Sequence, residues 1–266
     1  MTQQQSGELS KNRAAYFDML ADLGMTKHLG SLAATEDLVK GCRINTDSRV
    51  LDVGCGVGLT PCYLARTYGC DVTGVDITPK MIGTACAEAR RRGVADATRW
   101  AIADAQALPF ASGSFDAVLV ESVSVFLDDV AQGFREYARV TKPGGYVGVT
   151  ESTWLAEPNQ DTDAFYTTIG GTAKTKEAWL GLMTQAGLAE VTGYARSVDF
   201  CVEARGRLKR FGAGGFARIM MRAIRTILGS KSARSLYKDA LGATPDGVFK
   251  LMGFGVFVGR KPSPSV

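Results

Sequence analysis

One stretch decides the fold: Arg49-Val-Leu-Asp-Val-Gly-Cys-Gly-Val-Gly-Leu-Thr60. A short apolar run there contains a carboxylate, Asp52, and is followed by three glycines spaced two apart, Gly54, Gly56 and Gly58. Glycine lets backbone N–H groups approach a ligand at positions where any Cβ would collide. The stretch therefore predicts a strand over 50–53 that turns into a ligand-binding loop. Cys55 is interpreted as a small spacer in this loop, because no base stands next to it in the sequence.

Strand and helix patterns alternate after this stretch, which is typical of a parallel sheet with helices on both faces. Further strands are expected over 71–75, 98–103, 115–120 and 146–150, and helices over 59–68, 79–92, 127–140 and 175–186. All five strands end at or beside a carboxylate, and these acids are Asp52, Asp76, Asp104, Glu121 and Glu151. Ligands bind outside the carboxyl ends of strands in such sheets, so the acids should converge on one rim.

The predicted fold class is α/β, a Rossmann-like doubly wound sheet of about seven strands. Most strands should be parallel and the last, near 248–259, antiparallel, with helices before the sheet and a helical insert before the last strand. The chain is divided accordingly into an N-terminal helical lid or edge segment (1–44), a ligand-binding core (45–200), a basic helical insert (201–246) and the last core strand with its tail (247–266).

The charge of the chain is almost balanced, with 31 Lys and Arg against 27 Asp and Glu. Overall charge therefore does not require a polyanionic partner. Residues 201–240 are different, because they hold ten basic and two acidic side chains, a local charge of +8. Three interpretations of this insert stay open: an ordinary surface helix, an apolar lid over a substrate, or a peripheral membrane contact.

The six cysteines form no Cys-x-x-Cys pair, and the chain has one histidine, His28. No metal site is therefore expected. The cysteines fall in stretches interpreted as strand, loop or helix interior, which suits reduced thiols. The first residues do not have the pattern of a secretory leader, and no apolar run approaches ~18 residues. A cytoplasmic protein is the expectation.

A dinucleotide site is the first alternative for the glycine loop. A nicotinamide fingerprint has the spacing G-x-G-x-x-G, but here the third glycine is Gly58, and position 59 is Leu59. An acid before the glycines, Asp52, is also foreign to that fingerprint. An NAD-type oxidoreductase is thus disfavoured but stays open, as does a regulator or partner subunit that binds a cofactor without turnover.

Five motifs in order resemble those of class I S-adenosylmethionine-dependent methyltransferases, closest to the small-molecule branch with quinone-biosynthesis and sterol methyltransferases. They are Val50-Leu-Asp-Val-Gly-Cys-Gly-Val-Gly58, Gly74-Val-Asp-Ile-Thr-Pro-Lys-Met81, Ala103-Asp-Ala-Gln-Ala-Leu-Pro-Phe110, Ser114-Phe-Asp116 and Lys142-Pro-Gly-Gly-Tyr146. The resemblance covers about residues 45–195. It implies S-adenosylmethionine as cofactor, S-adenosylhomocysteine as product, and methyl transfer to a small hydrophobic or aromatic molecule.

The resemblance also implies roles for single residues. Asp76 would accept the ribose hydroxyls, and Asp104 would accept the adenine amino group beside the small Ala105. Asp52 and loop carbonyls would hold the methionine amino group. The predicted cofactor-binding set is Asp52, Gly54, Cys55, Gly56, Gly58, Asp76, Ile77, Met81, Asp104, Ala105 and Glu121.

A general base is needed only where the acceptor must lose a proton. The candidates are Tyr16, His28 and Glu151, the first two in the N-terminal segment that could lie over the glycine loop. Strand four is followed by Ser122-Val-Ser124 and lacks the Asp/Asn-Pro-Pro-Tyr/Phe loop typical of methyltransferases acting on nucleic-acid bases. The expected partner is therefore a small-molecule acceptor and no nucleic acid, and the sequence does not indicate an oligomeric state.

Overall fold

The computed structural model of the chain describes residues 30–158, 171–199 and 251–263, together with single positions at 17, 160, 162, 205, 206, 214, 221, 224 and 229. Two predicted catalytic residues, Tyr16 and His28, lie outside the described residues, as does most of the basic insert. All statements below refer to the described part of the chain.

Eight strands and five α-helices occur in that part. The strands are β1 (Arg49–Val53), β2 (Asp71–Asp76), β3 (Thr98–Ile102), β4 (Phe115–Glu121), β5 (Thr141–Trp154), β6 (Lys174–Thr175), β7 (Ala189–Ser197) and β8 (Met252–Arg260). The helices are α1 (Ser31–Gly41), α2 (Leu59–Tyr68), α3 (Pro79–Arg92), α4 (Val130–Val140) and α5 (Lys176–Gln185). Short 3-10 turns cover Ala95–Ala97 and Ser124–Phe126.

All strands belong to one sheet with the order β3-β2-β1-β4-β5-β8-β7, and the short β6 pairs with the end of β5. Strands β1 to β5 run parallel, whereas β8 is antiparallel to both β5 and β7. The predicted Rossmann-like fold class is confirmed. The strand order reverses between β1 and β4, so the loops that follow these two strands diverge and leave a crevice, where such sheets bind ligands.

The sheet is covered on both faces, which explains why its central strands are continuous apolar runs. Residues Leu51 and Val53 of β1 join the core beneath α4 and α5, where Phe134, Tyr137 and Trp179 are also buried. The opposite face of the same strands packs on α1 and α2, with a second core that includes Val50, Leu38 and Leu64. With its backbone held between two neighbours and both faces buried, β1 gives the glycine loop a rigid base.

Strand β5 is longer than expected, because β8 pairs with it as far as Trp154. Glu151, predicted to stand at the end of this strand, is therefore inside it and fully buried. Several other boundaries also differ, and two of them bear on the site. Helix α4 begins at Val130 instead of 127, because the Asp129 side chain accepts the N–H of Gln132 as an N-cap. Strand β3 ends at Ile102, so Asp104 lies just beyond it.

Candidate functional site

A cavity opens at the point where the strand order reverses. Ten of the eleven residues predicted to bind the cofactor line it, namely Asp52, Gly54, Cys55, Gly56, Asp76, Ile77, Met81, Asp104, Ala105 and Glu121. The loops after β1, β2, β3 and β4 bring these residues together, since parallel strands end at the same rim.

The first glycine of the loop is required by both conformation and space. Gly54 has φ +68°, and a Cβ built on it would lie 2.2 Å from Cγ2 of Val123. Gly58, the eleventh predicted residue, does not line the cavity. It precedes α2 with φ +80°, and a Cβ there would meet Ala85 and Trp100 at 2.8 Å. Gly58 therefore serves the packing of α2 on α3 and β3.

The carboxylate of Asp76 ties the glycine loop to the end of β2. Its Oδ2 accepts the N–H of Gly56 at 3.0 Å, and its Oδ1 accepts the N–H of Thr78 at 2.9 Å. Burial raises the pKa of Asp76, and these two N–H donors act in the opposite direction. Each carboxylate oxygen has two lone pairs, so both oxygens can accept one further hydrogen bond from a ligand.

The next part of the wall combines an acid with apolar side chains. Oδ1 of Asp104 accepts the N–H of Gln106 at 2.9 Å, which closes a tight turn around the small, buried Ala105. Ile77 is 60% exposed at the mouth of the cavity, whereas Met81 is buried. A flat apolar group would fit between these side chains with a polar edge towards Asp104.

Glu121, at the end of β4, connects two helices to the site. Its Oε2 accepts the hydroxyl of Thr35 on α1 at 2.8 Å, and its Oε1 accepts the hydroxyl of Thr60 on α2 at 2.9 Å. This carboxylate thus holds the described end of the N-terminal segment against the core. Because it also lines the cavity, a ligand that reaches Glu121 would contact the same atoms that anchor α1.

The described wall carries negative charge, with five carboxylates and no Lys, Arg or His: Asp52, Asp76, Asp104, Glu121 and Asp128. Such a wall favours a ligand with positive charge. It also affects Cys55, because burial first, then Asp52 and Asp76, raise the pKa of this thiol. A neutral thiol suits a spacer and not a nucleophile.

Sequence reasoning missed a second group of wall residues. They are Phe17, Val53, Leu59, Thr60, Ala103, Gln106, Ser122, Val123, Phe126, Leu127 and Asp128. Two of them, Val53 and Ser122, directly follow a strand-end acid, and this position was a usable signal for those two. Phe17 could not be found in this way, because only tertiary structure brings it to Phe126. The two rings pack edge to face, with their centroids 5.2 Å apart.

The third candidate base, Glu151, does not line the cavity. It is fully buried in β5, and its Oε1 accepts the N–H groups of Val123, at 3.0 Å, and Ser124. Its carboxylate is therefore not placed to take a proton directly from a molecule in the cavity. The geometry does not support the predicted role of Glu151 as a general base, because the extension of β5 past residue 150 encloses this carboxylate.

The burial of Glu151 makes stability depend on pH. Burial raises its pKa from the usual 4.5 to about 7, against the opposing effect of the hydrogen bonds it accepts. The folded protein thus binds the carboxyl proton of Glu151 more tightly than the unfolded chain does. The resulting contribution to the free energy of unfolding is fully present below pH 4.5 and is lost as pH rises through about 7.

We expect the protein to lose about 1 kcal/mol of stability from Glu151 between about pH 6 and about pH 8. Thermal unfolding of the wild type and of Glu151→Gln at both pH values measures this loss. Asp76 contributes with the same sign, so the difference between the two proteins isolates Glu151. Equal pH dependence in both proteins would contradict the expectation.

Two further observations concern the described residues alone. No group of three or more His, Cys, Asp or Glu side chains there is arranged to hold a metal ion. None of the helices there is both long enough and apolar enough to cross a bilayer.

Comparison with known proteins finds methyltransferases among the matches to parts of this chain. Residues 51–149 match the model of the methyltransferase domain family. The chain is 29% identical over 217 residues to an uncharacterized protein of Haemophilus influenzae, which covers 78% of this chain and 85% of that protein. It is 40% identical over 103 residues to the 2-methyl-6-phytyl-1,4-hydroquinone methyltransferase of Synechocystis, with 38% of this chain and 31% of the relative covered.

A solved structure matches over more of the chain. Phosphoethanolamine N-methyltransferase 2 of Haemonchus contortus, solved with phosphomonomethylethanolamine and S-adenosylhomocysteine, has a TM-score of 0.70 at 18% identity. The match covers 94% of this chain and 58% of that one. At this identity it shows the fold. The chain spans less than two thirds of the length of both named methyltransferases.

Proposed function

We propose that the protein is a class I S-adenosylmethionine-dependent methyltransferase that methylates a small apolar or aromatic molecule. The match of residues 51–149 to the methyltransferase domain family supports this proposal. One observation carries this proposal: the glycine loop, Asp76 and Asp104 meet in one cavity, at the point where the strand order reverses. Three features that are weak signals separately thus form a single wall.

The residues of this wall fit the adenosyl half of the cofactor. The two oxygens of Asp76 are both held by backbone N–H groups, and each retains a lone pair for one ribose hydroxyl. Asp104 is fixed by Gln106 and can accept the adenine amino group. Ile77 and Met81 offer apolar surface to the ring, and Ala105 leaves room for it.

The opposite end of the wall fits the methionine half. Asp52 and Glu121 can hold its ammonium group, and the loop at Gly54 and Gly56 exposes backbone where a side chain would block the ligand. When bound, S-adenosylmethionine supplies an activated methyl group on a positively charged sulfonium. The carboxylates of the wall match that charge, and the chain's own contribution is alignment of the two reactants and exclusion of water.

The described acceptor side is apolar. Phe17, Val123, Phe126 and Leu127 line it, and the described wall holds no cationic side chain that could bind a phosphate group. A neutral apolar or aromatic acceptor therefore fits better than a phosphorylated one such as phosphoethanolamine. Tyr16 and His28 stay predictions for a general base.

The dinucleotide alternative has no support among the relatives. It also conflicts with the charge of the site, since a pyrophosphate would face the same five carboxylates. A non-catalytic S-adenosylmethionine-binding regulator would have the same cavity, and turnover is what separates it from an enzyme.

Titration calorimetry followed by a labelled-methyl assay tests the function. We expect binding of S-adenosylhomocysteine and S-adenosylmethionine and none of NADH. We also expect methyl transfer to prenylated hydroquinones or sterols in preference to phosphoethanolamine. Tight cofactor binding without transfer to any acceptor or to any component of a cell extract would favour the regulator. Binding of NADH alone would contradict the proposal.

The remaining predictions about the chain are part of the same proposal. We propose that residues 1–44 and 201–246 cover the acceptor site of the core, which would explain why α1 is tied to Glu121. A peripheral membrane contact through the basic insert would appear as binding to anionic vesicles that is lost at high salt.

A cytoplasmic location is proposed because five described cysteines, Cys42, Cys55, Cys62, Cys70 and Cys86, are free thiols.

A further inference from the structure

The segment that follows β4, residues 122–126, has an unusual backbone. Ser122 has φ +60°, a left-handed conformation that non-glycine residues rarely adopt. It is buried, and its N–H donates to the carbonyl oxygen of Thr150 at 2.7 Å. A strained conformation of this kind persists only where the surroundings enforce it, so neighbouring groups must hold this segment in place.

The buried carboxylate of Glu151 is one of these groups. Its Oε1 accepts two successive N–H groups, those of Val123 and Ser124, just after the last residues that β4 pairs with β5. Glu151 thus provides the acceptor that the sheet no longer offers at this point. Without it, the buried N–H of Ser124 and the partly buried N–H of Val123 would lose their partner, which is costly in a protein interior.

The same segment contacts the glycine loop. A Cβ added at Gly54 would lie 2.2 Å from Cγ2 of Val123, so the Val123 side chain occupies the space that such a Cβ would need. Val123 and Phe126 also line the cavity. A displacement of Val123 would therefore move the cavity wall and remove the packing of the first glycine at the same time.

The second oxygen of Glu151 lies in a small polar cluster. Oε2 of Glu151, Oγ of Ser124 and Oη of Tyr137 are buried without a hydrogen-bond partner among the described residues. Tyr137 of α4 is the other titratable group of this cluster: burial raises the pKa of its hydroxyl, and the charges of Glu151 and Asp104 act in the same direction. A protonated carboxyl, or a glutamine amide, would keep Oε1 as an acceptor and place its donor in this cluster.

We propose that Glu151 is the positioning residue of the site: it fixes Ser122–Phe126 against the glycine loop, so that the cofactor pocket is already formed before the cofactor binds. The role rests on the proposed function, because it concerns the site of that methyl transfer. It replaces direct proton abstraction, which the burial of Glu151 does not allow.

Three variants test this role. Glu151→Gln keeps the acceptor, Glu151→Leu removes it, and Thr98→Val is the control, since it removes a buried hydrogen bond to the carbonyl of Val94 far from the cavity. We expect Glu151→Gln to bind S-adenosylhomocysteine within threefold of the wild type and Glu151→Leu at least tenfold more weakly. Thr98→Val should lower Tm without changing this affinity. The KM for S-adenosylmethionine should rise in Glu151→Leu by more than kcat falls.

Wild-type affinity in Glu151→Leu would overturn the proposal. Should Glu151→Leu not fold, amide hydrogen exchange of the wild type and of Glu151→Gln decides: we expect slow exchange at Val123 and Ser124 in both. Exchange as fast as in an exposed loop would overturn the role. The exchange measurement needs no cofactor, so it stays decisive if the wild type binds no S-adenosylhomocysteine, a result that would count against the proposed function alone.

Discussion

Replacement of Asp76 by alanine is expected to weaken S-adenosylhomocysteine binding by about 2–4 kcal/mol, roughly a 30- to 1000-fold rise in Kd. Two losses add up in this variant. The ligand loses the acceptor for its ribose hydroxyls, and Gly56 and Thr78 lose the carboxylate that fixes their N–H groups. Loss of hydrogen bonds to a charged group has a larger effect than loss of neutral ones.

Titration calorimetry measures this effect, and the same strand offers a matched control. Asp71 stands at the other end of β2, where its half-exposed carboxylate faces Arg99 at 3.5 Å. Asp71→Ala should leave the affinity unchanged, because an exposed ion pair contributes little. Asp76→Asn keeps one acceptor oxygen, so its affinity for S-adenosylhomocysteine should lie between those of Asp76→Ala and the wild type. Unchanged affinity in Asp76→Ala would place the cofactor elsewhere.

Replacement of Gly54 by valine is expected to abolish cofactor binding and also to destabilise the fold. In the structure a Cβ at this position would lie 2.2 Å from Val123, and the backbone has φ +68°, which a β-branched residue rarely adopts. We therefore expect a loss of about 3 kcal/mol or more, roughly 6–12 °C in Tm.

A control and a rescue variant make this prediction specific. Gly83, inside α3, has no atom within 4 Å of the position where a Cβ would be added. Gly83→Ala should therefore stabilise the protein by about 0.5–1 kcal/mol. Adding Val123→Ala to Gly54→Val should recover part of the lost Tm, because it removes the colliding methyl groups. No recovery, with Tm as low as in the single variant, would show that backbone strain and not contact with Val123 is responsible.

Much of the site was predictable because its residues follow strands that the sequence marks clearly. Parallel strands bring their carboxyl ends to one rim, so the order of the motifs along the chain is enough to place Asp52, Asp76 and Asp104 together. The spacing of the glycines argued against the nicotinamide fingerprint in the same way. Gly58, predicted to bind the cofactor, does not line the cavity, and its close approach to Ala85 and Trp100 depends on how α3 and β3 pack.

By itself, the sequence determined the sheet, the glycine loop and the acidic rim, because strand periodicity, turn residues and motif order are local signals. Only the tertiary structure decided what Glu121, Glu151 and Phe17 do. The length of β5 depends on its pairing with β8, a strand about a hundred residues away in the chain, and that pairing encloses Glu151 in the core. Glu121 meets α1 and α2, and Phe17 meets Phe126, through contacts that no local pattern encodes.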